Sequence, residues 1–146
     1  MKKVALLLAF VLMLGQYSFA AEKIGTVDLQ KVMDQYSKAK AANTWVQNQE
    51  KSIQTFIDDA RAKVNAAPDK EKKVLEEKYN KQLADKVNAF RKNQAVKIKA
   101  ISDDVEVALK AVAGEGGYTL LLPVYATLYS TDDVTAKVIS KLNAKK

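Results

Sequence analysis

The sequence predicts an α+β chain: a small β body from which one long antiparallel α-helical hairpin projects. Three observations point there. Residues 31–113 hold no glycine and one proline, Pro68. Apolar residues in that span recur every three or four positions, the period of a helix face. The stretch GGYTLLLPVYATLYS, residues 116–130, is rich in aromatic, β-branched and leucine side chains as strands are, and its only counterpart is a short segment near residue 24.

At the N-terminus, Lys2 and Lys3 precede an apolar run over 4–14. Gly15 and Gln16 interrupt it, and Ser18-Phe19-Ala20 offers the small residues of a cleavage site. Residues 1–20 therefore read as a secretory signal peptide. The run falls short of the ~20 apolar residues that a stable span needs; an uncleaved anchor is the competing reading. No cysteine follows, which excludes a lipoprotein. Residues 21–146 are expected to form a single domain, with a body from 21–33 and 114–146 and a hairpin over 34–113.

Composition narrows the chemistry. The chain carries a net charge of +7, or +5 once Lys2 and Lys3 are removed, with no cysteine and no histidine. Disulfide staples, Cys–His nucleophile pairs and the usual zinc sites are thereby excluded. Asp58-Asp59, Glu76-Glu77 and Asp103-Asp104 are neighbours that point about 100° apart on a helix, so they suit solvated faces better than a shared substrate. Gly114-Glu115-Gly116-Gly117 lacks a third glycine at Thr119 and follows a helix instead of preceding one, which fits a helix C-cap and not a phosphate loop. Neither an enzyme nor a bound cofactor is expected.

Pro68, followed by Asp69 and Glu71, marks a helix start, so one long helix is expected to end near Asn65 and the next to begin near Pro68. A proline kink in one continuous helix is the alternative. The first seam runs Tyr36, Ala39, Ala42, Val46, Gln49, Ile53, Phe56, Ala60, Val64, alternating threes and fours in coiled-coil fashion, with Trp45 and Ile57 widening it. The second runs Leu75, Tyr79, Leu83, Val87, Phe90, Gln94, Ile98, Ile101, Val105, Leu109, Val112, mostly in fours, a straighter path. The periods differ, so a regular two-stranded coil along the whole length is not expected. Alanines and glutamines make both seams thin. The first helix, about 48 Å long, exceeds a compact domain of this size, whose radius of gyration would be about 14 Å; the hairpin must project.

Three short strands are expected in the body: residues 24–28, 118–123 and 126–130, with a turn near Pro123 and Val124. Thr131, Asp132 and Asp133 would cap a last helix over 136–143, with Val138, Ile139 and Leu142 on one face. Leu120, Leu121 and Leu122 are consecutive, so both faces of their strand are apolar, whereas one short helix hides one face. Covering the other face and the sheet edges calls for another chain; burial on both sides within a monomer is the bland alternative.

Charge concentrates on the second helix. Lys78, Lys81, Lys86, Arg91, Lys92, Lys97 and Lys99 face one acid, Asp85, before Asp103, Asp104 and Glu106 reverse the sign. A solvated helix face is one reading; a surface for acidic clients or anionic lipid phosphates is the other. Nucleic acid is not expected, because Tyr79 and Phe90 fall on the seam and form no stacking platform.

The strand-to-helix run Ile24-Gly25-Thr26-Val27-Asp28-Leu29-Gln30-Lys31-Val32-Met33, the charged hairpin, Gly117-Tyr118-Thr119-Leu120-Leu121-Leu122 and the closing DVTAKVISKLN at 133–143 resemble the Skp (OmpH) family of periplasmic outer-membrane-protein chaperones. The resemblance spans residues 21–146, and VDLQKV and DVTAKVISKLN are its most specific parts. It implies a homotrimer, in which strands of three chains close into a β-barrel and three hairpins hang around a cavity. It also implies an ATP-independent holdase that keeps unfolded outer-membrane β-barrel proteins from aggregating before membrane insertion. On this chain it assigns Ile24, Val27, Leu120, Leu122 and Leu128 to the trimer body, and the charge between Lys78 and Lys99 to client binding. Anionic lipid or lipopolysaccharide is a further partner in the family, through a basic cluster that has no residue-by-residue counterpart here. This hairpin is shorter than in the best-known members. The rival class is a structural or adhesive coiled-coil protein of the cell envelope, with the hairpin as a spacer.

Overall fold

Strand β1, Ile24–Val27, ends where Asp28 turns its carboxylate onto the Lys31 amide at 3.0 Å, the side-chain cap that starts helix α1, Leu29–Gln35. The computed structural model describes residues 22–129 and 132–144, so the expected signal peptide over 1–20, Ser130 and Thr131 lie outside the described residues. Tyr36, extended at φ −76° and ψ 117°, both ends α1 and precedes helix α2, Ser37–Ala66. The hairpin helix thus begins close to its expected start at 34, while the separate helix α1 before it was not expected of the sequence.

Ala67 and Pro68 turn the chain, and helix α3 runs Asp69–Gly116 with Asp69 and Glu71 in its first turn. The proline thus separates two helices and does not kink one. Its absent amide costs nothing at a helix start, where no carbonyl awaits it. The pairing is antiparallel: Tyr36 meets Asp104, Trp45 meets Phe90 and Phe56 meets Tyr79, so partner numbers fall along α3 as they rise along α2. At 30 and 48 residues the helices are about 45 and 72 Å long.

The glycine cluster ends α3 as expected. Gly117 is left-handed at φ +66°, Tyr118 donates its amide to Ala113 at 2.9 Å, and Gly117 donates to Gly114 at 3.3 Å, a Schellman closure. The Tyr118 ring folds back on Gly116, where a Cβ would lie 2.2 Å from its Cε2. Strand β2, Leu120–Pro123, then lies parallel to β1, with Ile24 opposite Leu120 and Val27 opposite Pro123.

A third strand over 126–130 does not form among the described residues. After Pro123 a 3-10 turn, Val124–Ala126, is held by the Thr127 amide and hydroxyl, both donating to the Val124 carbonyl at 3.2 and 3.0 Å. A strand needs a neighbour for its backbone groups, and none of the described residues lies alongside. β1 is instead bordered on its other edge by a single bridge: Thr26 donates to the Asp132 carbonyl and accepts from the Val134 amide, each at 2.8 Å. Asp133 accepts from the Thr135 amide at 2.9 Å and from its hydroxyl, which starts helix α4, Thr135–Ala144. These bonds from Thr135 hold the Asp133 carboxyl below the usual carboxylate range.

The core lies in the body. Val27, Val32, Val112, Tyr118, Val134, Val138 and Leu142 are buried where α1, α4 and the last turns of α3 meet, with Tyr36, Ala39 and Ile101 at the arm's root. Between Ala39 and Ile101 no residue is fully buried. Every predicted member of the first seam beyond Ala39 is half-buried, which bears out its thinness. The second seam holds except at Ile98, which is 60% exposed, while Lys97 is half-buried beside it.

Candidate functional site

Two aromatic nodes fasten the arm. Trp45 stacks on Phe90 with centroids 5.6 Å apart, and Phe56 meets Tyr79 edge-on at 6.1 Å. Each node is topped by a lysine of α3: Lys97 Nζ lies 5.0 Å from the Trp45 centroid, and Lys86 Nζ lies 5.2 Å from that of Phe56. The second node repeats the first after eleven residues, forward on α2 and backward on α3. Eleven residues are three turns at 3.67 per turn, the step of straight or slightly right-handed pairing. The expected mismatch between the two seams is therefore absent at the nodes. The same step explains Ile98: Phe90, Ile101 and Val112 hold the seam at eleven-residue intervals, and Ile98 falls to one flank.

Two of the seven basic candidates thus lie over rings of the arm's seam, Lys97 half-buried and Lys86 exposed. Lys78, Lys81, Lys92 and Lys99 share the exposed face of α3 turned away from α2, and Arg91 is exposed on a flank. Lys99 pairs with Asp103 at 2.8 Å, whose hydrogen bond and charge raise the lysine pKa. Among the described residues, Lys78, Lys81, Arg91 and Lys92 make no ion pair. Val74, Val96 and Val107 lie on the same outward face and are each at least half exposed. Sequence reasoning passed over them; their spacing of 22 and 11 residues, opposite the seam, is the signal that would have found them. The outward face of α3 is accordingly a mixture of free ammonium groups and bare apolar side chains.

The body presents a second surface. Ile24 and Leu120, opposite each other across the sheet, are about half exposed; Leu122 is half-buried and Val27 lies in the core. Beyond the 3-10 turn, Tyr125, Leu128 and Tyr129 are 87, 108 and 84% exposed. Leu128 was a body candidate from the sequence; the two tyrosines were not singled out. One chain therefore leaves an apolar patch bare along β2 and the segment after it, larger than isolated exposed residues explain. A third apolar feature is a groove of about 350 Å³ at the arm's root, rimmed by Leu29, Met33 and Ile98 over a floor of Val32, Ala42 and Val105.

Among the described residues there is no group of three or more metal-ligating side chains, and no helix is long and apolar enough to cross a membrane. No curated protein matches the chain. Among solved structures, one similar chain is a protein assigned as an OmpH-like outer membrane chaperone from Caulobacter crescentus CB15, with 13% identity, 90% of each chain covered and a TM-score of 0.41. The family model for OmpH-like outer membrane proteins matches residues 23–142, from the residue before β1 to the buried Leu142 of α4. A match over so much of the chain makes it a member of the OmpH-like outer membrane protein family.

Proposed function

We propose that this chain is an ATP-independent holdase chaperone of the periplasm, which assembles as a homotrimer and holds unfolded outer-membrane β-barrel proteins between its arms before insertion. The observation that carries the reading is the pairing of two unfinished surfaces in one chain. The β2 edge, with Leu120, Tyr125, Leu128 and Tyr129 bare, calls for copies of itself. The arm, with no fully buried residue between Ala39 and Ile101, offers an adaptable flank and not a fixed socket.

An unfolded barrel protein exposes alternating apolar residues and open strand edges. Lysines and valines interspersed on α3 suit such a client through many weak contacts, each below about 1 kcal/mol if they resemble exposed charge pairs. Release then requires no fuel. The same ammonium groups suit anionic lipid or lipopolysaccharide phosphates as a secondary ligand. Membership in a family that is not an enzyme class agrees with the lack of catalytic constellations in the sequence. The two aromatic nodes are what a spacer in a structural or adhesive coiled coil would also have, but the half-buried seam between them favours a compliant arm.

The test is light scattering of a diluted, unfolded porin with the chain lacking residues 1–20, alongside sedimentation equilibrium. Suppressed scattering at one trimer per porin is expected. A monomer in dilute buffer, or undiminished scattering, overturns the reading.

A further inference from the structure

The break at Tyr36 leaves backbone groups on both sides without helical partners, and one distant side chain takes one from each side. Asn143, in the last turn of α4, accepts from the Ser37 amide at 3.0 Å and from the Ser37 hydroxyl at 2.9 Å. Its Nδ2 donates to the Gln35 carbonyl at 3.0 Å. Its amide therefore straddles the break, holding the end of α1 with one atom and the start of α2 with the other. Tyr36 itself offers no side-chain cap to α2. Its ring is buried in the arm's root, and its hydroxyl donates to Asp104 Oδ2 at 2.8 Å, an oxygen that Lys38 also reaches at 2.6 Å.

The two sides of the arm are built differently. α3 passes unbroken from the tip into the body, where it packs on α4 and is tied to it by the Lys141–Glu115 ion pair. α2 joins α1 only across the extended Tyr36, and otherwise leans on α3. A helix of 48 residues resists bending, whereas one residue outside the helix allows rotation about its φ and ψ. We propose that Asn143 is the positioning residue of the arm: it fixes α2 at its pivot, so that α3 serves as the beam and α2 as a strut whose freedom Asn143 sets. The inference concerns the joint alone and holds whether or not the arm carries a client.

The chain has no cysteine, so pairs of spin labels can be introduced cleanly. Asn48→Cys with Lys137→Cys reads α2 against the body, and Asn88→Cys with Lys137→Cys reads α3 against it; all three sites are exposed. Pulsed dipolar distances are measured with labelled chain diluted into unlabelled chain, so that only distances within one copy count. Asn143→Ala is expected to raise the displaced α2 population roughly tenfold, the ratio for losing three exposed hydrogen bonds at the low end of their usual worth. The α3 distribution should stay as it was. Asn143→Asp keeps the acceptor for Ser37 and loses the donor to Gln35, and should fall between; it serves alone if the alanine variant does not fold. An α2 distribution unmoved by either variant, or equal broadening of both distances, overturns the proposal.

Discussion

Replacing Trp45 by alanine tests where the chain's cohesion resides. The indole is half-buried, stacked on Phe90 at 5.6 Å and topped by the Lys97 ammonium at 5.0 Å. An aromatic pair contributes about 0.5–1.5 kcal/mol beyond its buried area, and an exposed cation–π contact about 0.5–1 kcal/mol. Together they give about 1–2.5 kcal/mol. A fully buried Phe or Trp cut to alanine costs about 3–5 kcal/mol, so a half-buried ring costs roughly half of that. The truncation figure gives about 2 kcal/mol, of which the two ring contacts are a large share, and that is about thirtyfold in an opening equilibrium. Because no residue between Ala39 and Ile101 is fully buried, the loss should fall on the arm and leave the body closed. Residue-resolved hydrogen exchange measures this directly. Amides of Val46, Ile53 and Val87 should exchange about thirtyfold faster, with those of Val138 and Leu142 unchanged. Equal acceleration in both regions would show one cooperative unit and refute the reasoning.

Leu128→Glu combined with Tyr125→Ser should abolish self-association in sedimentation equilibrium without altering the helical signal of the chain, since both side chains are exposed; retained oligomers would remove the bare patch from the interface. Charge reversal at Arg91 and Lys92 should weaken binding of an unfolded porin and flatten its salt dependence, and an unchanged affinity at all salt concentrations would count against the basic face. Lys86→Gln and Lys97→Gln should mainly loosen the arm in hydrogen exchange, because these ammonium groups sit over Phe56 and Trp45. The Tyr36 phenol is pushed up to about 12 by burial first and then by its bond to Asp104 and the charge of that carboxylate. A folded pKa above the unfolded value of 10.0 means that its contribution is complete below pH 10 and is lost as pH rises through about 12. Thermal melts should show that loss in the wild type, and Tyr36→Phe should flatten it.

Much of this architecture was legible because it follows from periodicity and local chemistry. The first seam, the Pro68 turn, the Gly117 closure and the Asp133 cap each depend on residues a few positions apart, and each formed as expected. What escaped depends on residues far apart. The Tyr36 break has no proline or glycine to announce it; Asp104 and Asn143, 68 and 106 residues from their partners, hold it open. The expected strand over 126–130 has the right composition, yet strand formation requires a neighbour that the described residues do not supply. Ile98 was misplaced because steps of four outrun the 3.67-residue period that the aromatic nodes impose. Of the basic candidates, sequence alone could not separate Lys86 and Lys97, which lie over rings, from Lys78, Lys81 and Lys92, which face solvent.

The parallel pairing of β1 with β2 constrains the order of events during folding. Some ninety residues separate the two strands in the chain. Joining them across a disordered loop of that length would cost about 4 kcal/mol of chain entropy, more than eight short strand residues return. Once the two helices zip from Pro68 downward, the same span becomes a splint whose free ends already lie side by side. The sheet is then the last piece to set, and its outer edge is ready for neighbours only after the limb above it has taken shape.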